Sequence, residues 1–95
     1  MIGTGTLTKQ IAGNLARTDF DALDADTLRA TKEHILYTLG TILAGSSAPG
    51  IKQALAGALA LSGASTESSV LVTGEKLPAA SAALVNAAMG HSREL

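Results

Sequence analysis

The chain has no cysteine and no tryptophan, and holds one phenylalanine, one tyrosine and two prolines in 95 residues. Without cysteine, neither a disulfide-stapled scaffold nor a thiolate metal site can form. Positive charge is also scarce: seven Lys and Arg residues are scattered among eight acids for a net charge of −1. That leaves no basic stripe, so no nucleic acid is expected as a partner. No apolar run approaches the roughly 18 residues that a membrane span requires. The first residues also lack the basic-then-apolar order of a secretory signal. No membrane association is expected, and the expected location is cytoplasmic.

What is abundant is alanine, with 18 copies inside an apolar fraction of 46%. Alanine favours helix and lets helices approach closely, but it removes little apolar surface from water per residue. At this length a chain buries only about two-thirds of its unfolded surface. Two readings stay open: one helical layer of a larger assembly, or a small bundle that is stable by itself.

The longest apolar run lies within Thr27–Gly45, TLRATKEHILYTLGTILAG. Leu28, Ile35, Leu39 and Ile42 recur at helical steps, with Leu36 and Leu43 as a second row. Asp24 is placed to cap this helix and Gly45 to end it. The polar side formed by Arg29, Lys32 and Glu33 then disappears, so the second half is expected to be buried nearly all round, against partners on several sides. Ahead of it, Leu7, Ile11 and Leu15 predict a short helix capped by Thr6, after a frayed Met1–Thr6 leader. Phe20 and Leu23 are expected to tuck under the central helix.

Beyond Gly45, the stop at Ser46–Pro49 is followed by a third helix, about Pro49–Leu61, with Ile51, Leu55, Ala58 and Leu59 on one side. Gly40 and Gly57 each either weaken their helix by about 1 kcal/mol or admit a neighbouring backbone, and close packing is preferred for both. Ser69–Thr73 predicts one short strand, Gly74–Lys76 a turn, and Pro78 an N1-type start to a last helix running to the C-terminus. The fold class is mainly α: about four helices and one short extended segment, as part of a larger all-α domain.

On the last helix Leu84, Ala88 and His91 form one stripe, and Asn86, Gly90 and Glu94 a neighbouring one. His91 and Glu94 are three residues apart, so their side chains can meet beside the space left by Gly90. An imidazole and a carboxylate so placed are half of an acid–base site, or else an ion pair on the surface of a helix end. His34 is read as solvated on the outer side of the central helix. Two imidazoles that nothing brings together give no zinc site.

TLRATKEHILYTLGTILAGSSAP, with its Leu-Gly-x-x-Leu-Ala-Gly-Ser core, and VLVTGEKLPAASAALVNAAMGHS together resemble the N-terminal region of the MmgE/PrpD family. That family includes 2-methylcitrate dehydratase, cis-aconitate decarboxylase and iminodisuccinate epimerase. The second segment is the more specific, since members typically carry Ala-Ala-x-x-Asn-Gly before Ala-His and an acidic run. On this resemblance residues 1–95 are the N-terminal part of a helical domain whose remaining polypeptide is a partner of these helices. It implies a homodimeric enzyme without metal or organic cofactor, acting on small di- or tricarboxylates by proton transfer next to a carboxylate. It also implies that these residues alone are inactive, because the family's base and carboxylate clamps come largely from His and Lys residues later in the chain. His91 matches the histidine of the Ala-His step, and Glu94 the first acidic position after it, which lines the family's pocket. Members usually have Asp and then Phe there, whereas this chain has Glu94 and Leu95 preceded by Arg93. The extra methylene moves the carboxylate by about 1 Å, enough to change which substrate reacts. A non-catalytic helical oligomerisation module is the other reading.

Overall fold

The computed structural model describes residues 2–93, with side chains for residues 5–93. In order, it has α1 (Ile2–Arg17), a 3-10 turn (Phe20–Ala22), α2 (Ala25–Gly45), α3 (Ile51–Leu61), β1 (Ser68–Ser69), β2 (Lys76–Leu77) and α4 (Ala79–Ser92). The chain is mainly α, as its periodicity predicts. It divides into two compact units, Met1–Glu33 and His34–Leu95, with α2 running across the boundary.

In the first unit α1 already includes Ile2, so the expected leader is helical from Ile2 onward and Thr6 lies inside the helix rather than capping it. Helix α1 ends where Thr18 turns back, its backbone N–H and its hydroxyl both donating to the Asn14 carbonyl. Asp24 caps α2 as its sequence position predicts. Its Oδ1 accepts the Thr27 N–H at 2.7 Å, which satisfies one of the amides that a helix start leaves without a partner. That hydrogen bond holds the Asp24 carboxyl below its ordinary value of 3.8. Phe20 does not tuck in: it is 70% exposed, and Leu23 is also exposed. A three-residue 3-10 turn is too short to carry a ring inward.

The core of the second unit is centred on α4. Ala82, Val85 and Met89 follow one another at steps of three and four, and all are buried. Against them pack Ile42 of α2, Ile51 at the start of α3, and Val70 and Leu77 from the hairpin. Full burial of side chains such as Met89, Val85 and Val70 contributes about 1.5–3 kcal/mol each. Because Pro78, the residue before α4, offers no side-chain cap, Glu67 supplies the acceptor: its Oε1 takes the Ala79 N–H at 3.2 Å. Pro78 is thus the residue before the first helical one, a single position from the expected start.

Helix α2 is less enclosed than its apolar run predicts. Only Thr41, Ile42 and Gly45 are buried, while Leu36 is 72% and Leu43 63% exposed. Gly40 and Gly57 have open space where a Cβ would stand, so neither marks a close approach among the described residues. The close approaches fall elsewhere. A Cβ on Gly45 would come within 1.8 Å of the Met89 carbonyl oxygen, and one on Gly90 within 3.3 Å of Ile42 Cγ1. Helices α2 and α4 thus meet backbone to backbone. Gly45 is the last helical residue rather than a left-handed stop; the positive φ falls at Gly50 (90°), just before α3.

The extended segment is shorter than predicted. Ser68 pairs with Leu77 and Ser69 with Lys76, antiparallel, and the turn begins at once. Val70 donates to the Glu75 carbonyl, and Gly74 to that of Val70. Inside this loop Thr73 N–H bonds the Leu71 carbonyl at 2.8 Å across Val72, whose φ is 70°. This is a tight γ-turn on a β-branched residue, a conformation with a steric penalty.

Candidate functional site

Where α2 and α4 diverge from the Gly45–Met89 contact, they leave a cleft of about 320 Å³. One wall is built by Tyr37, Thr38, Thr41 and Ile42 of α2, which share a face at helical spacing. The other is built by Asn86, Ala87, Gly90 and His91 of α4. Glycine at 90 matters to the shape: with no side chain there, Ile42 and Thr41 of the opposite helix form the floor.

The polar groups of the cleft differ in what they can still offer. The Thr38 hydroxyl donates to the His34 carbonyl at 2.9 Å, and the Thr41 hydroxyl to that of Thr38 at 2.8 Å. Both threonines have committed their hydrogen to the helix and present only lone pairs. Asn86 reaches out of α4 to the hairpin. Its Oδ1 accepts the Leu71 N–H at 2.8 Å, and its Nδ2 donates to the Ser69 carbonyl at 3.1 Å. Groups able to gain or lose a proton are the Tyr37 phenol and the His91 imidazole, both on exposed residues lining the same cleft. The arrangement can bind a small polar molecule between the helices and present an imidazole to it.

His91 lines this cleft, although not on the stripe assigned to it from sequence. Leu84 and Ala88 line a different groove, against α3, whereas His91 joins Asn86 and Ala87 on the side facing α2. Glu94 lies outside the described residues, and so does its pairing with His91. His34 is exposed on α2. Among the described residues no group of three or more His, Asp or Glu side chains is placed to hold a metal ion. Tyr37, Thr38 and Thr41 escaped the sequence reading. Their signal was there, as hydroxyl groups at i, i+1 and i+4 interrupting the longest apolar run.

A mainly helical unit with a cleft between its central and last helices is the class of structure defined here. The sequence profile of the MmgE/PrpD N-terminal domain matches residues 9–95, and the chain belongs to the MmgE/PrpD family. Comparison with individual curated proteins gave no match, nor did comparison with solved structures. Among the described residues no helix is long and apolar enough to cross a membrane.

Proposed function

We propose that this chain is the N-terminal helical part of a dehydratase, decarboxylase or epimerase acting on small di- or tricarboxylates, with proton transfer at the carbon next to a carboxylate. The observation that carries this reading is His91 at the wall of the α2–α4 cleft, in a chain belonging to this family. Removing such a proton leaves negative charge that spreads onto the neighbouring carboxylate. A positioned base takes the proton, and hydrogen-bond donors stabilise the charge. His91 is the proton-handling group of this chain, Tyr37 lines the same cleft, and Glu94 is the pocket carboxylate. No organic or metal cofactor is assigned to this part of the reaction.

The partner of these helices is further polypeptide of the same enzyme, in a cytoplasmic homodimer. Support comes from the α2 face, where Leu36, Gly40 and Leu43 lie along one line, the leucines exposed and the glycine open above. Such a face is suited to a close-packed helix. The same face favours the second reading, a non-catalytic oligomerisation module.

Turnover of citrate-like acids by the protein, with His91→Gln and Glu94→Ala as variants, separates the two. Acid–base participation predicts a fall in kcat of about 10²–10⁴-fold for His91→Gln with unchanged thermal stability. An unchanged kcat removes His91 from the chemistry. Self-association without turnover of any acid in the panel favours the module.

A further inference from the structure

Asn86 is half-buried on α4, with its amide held by the hairpin and its flank on the cleft. The two bonds to Leu71 and Ser69 decide which end of the amide is which. Leu71 N–H is only a donor and must meet Oδ1; the Ser69 carbonyl is only an acceptor and must meet Nδ2. One of the two Oδ1 lone pairs is thereby engaged. Of the two Nδ2 hydrogens, one serves Ser69 and the second remains. A carboxamide free in water offers donor and acceptor alike and rotates between them. This one is splinted by the hairpin, so its ends cannot exchange places and the second Nδ2 hydrogen stays a donor where it stands.

Its neighbours make that donor distinctive. Thr38 and Thr41 show lone pairs to the cleft because their hydrogens bond helix carbonyls. A ligand oxygen bearing negative charge is repelled by such lone pairs and attracted by the amide hydrogen. A charge-assisted bond to a donor that need not reorient on binding is among the stronger neutral-to-ion contacts.

We propose that Asn86 is a specificity-determining residue of the cleft: its second Nδ2 hydrogen binds a carboxylate oxygen of the ligand, and its locked orientation discriminates against a ligand that presents an N–H at the same place. This rests on reading the cleft as a carboxylate site. It goes further by assigning the recognition to an uncharged residue and by giving the hairpin a role as the splint of that residue.

The test uses the full chain and two probes, succinate and succinamate, in which one carboxylate is replaced by a primary amide. In the ¹H–¹⁵N spectrum of the unmodified chain, succinate is expected to move one of the two Asn86 side-chain proton resonances downfield at saturation. Asn86→Asp keeps an oxygen to accept from Leu71 N–H but replaces the donor with a negatively charged oxygen. Succinate affinity is then expected to fall by about tenfold to a hundredfold, while succinamate falls less, so that the preference between the two reverses. Equal losses for both probes, or Asn86 protons that do not move at saturation, overturn the proposal and leave Asn86 a tether of the hairpin, with the carboxylate reading of the cleft intact. Failure of the unmodified chain to bind succinate at all overturns both. If Asn86→Asp loosens the hairpin, seen in the Leu71 amide signal, the spectrum of the unmodified chain decides alone.

Discussion

Gly45→Ala is the sharpest probe of how α2 and α4 fit together. In a helix with free space around it, Gly→Ala stabilises by up to about 1 kcal/mol, since alanine restricts the unfolded chain and favours the helix. At Gly45 the new methyl would stand 1.8 Å from the Met89 carbonyl oxygen and 2.8 Å from the carbonyl carbon. An ordinary carbon–oxygen contact needs more than 3 Å, so the helices must separate by roughly 1.5 Å. Side-chain rotation cannot relieve this, because both obstructing atoms are backbone. Separation loosens Ile42 and Met89, core residues on the two sides of the contact. Overpacking of this kind destabilises by about 1–3 kcal/mol, occasionally more, and here the upper end applies. Net of the helix gain, Gly45→Ala should lose about 2 kcal/mol, a large share of the stability of a domain this small. Gly40→Ala, on the same helix with nothing within 4 Å, supplies the control and should gain up to about 1 kcal/mol. Urea unfolding followed by circular dichroism reads both midpoints, with an unchanged m-value showing that only stability has moved. A Gly45→Ala chain as stable as the parent would refute the backbone-to-backbone contact.

Two further expectations concern local structure. Val72→Gly should raise stability by about 1 kcal/mol, since relief of roughly 1–3 kcal/mol of backbone strain exceeds the added freedom of glycine when unfolded; a loss in the same urea assay would show that Val72 is not strained. The Asp24 carboxyl is depressed in the folded chain, so its contribution is fully present above the ordinary value of 3.8 and fades as pH falls through the lower folded value. Asp24→Ala should therefore melt at a lower temperature than the parent at neutral pH, and the gap should narrow in acid. A gap independent of pH would mean that the charge on the cap contributes nothing.

The helices were legible because their periodicity is regular and their ends carry capping chemistry, as at Asp24. What surrounds them was less so. An apolar run such as Ile35–Ala44 signals that a helix wants covering, and not whether this stretch of chain does it; Leu36 and Leu43 are left in the open. Glycines tell a similar story. Gly40, Gly45, Gly57 and Gly90 look alike in sequence, yet only Gly45 and Gly90 take a neighbour, because contact depends on how two distant segments cross. At the cleft, His91 stood out as one of two histidines. The amide bonds of Asn86 to Leu71 and Ser69 reach back 15 and 17 residues and have no local signature.

The seat at Gly45 has a consequence for which molecules the cleft admits. Two helices that touch through their main chains cannot be eased apart at that point by swivelling a side chain. Changing the menu of acceptable guests would then require trimming or enlarging the groups along the rim, at Tyr37, Thr38 or His91, while the seat itself stays glycine.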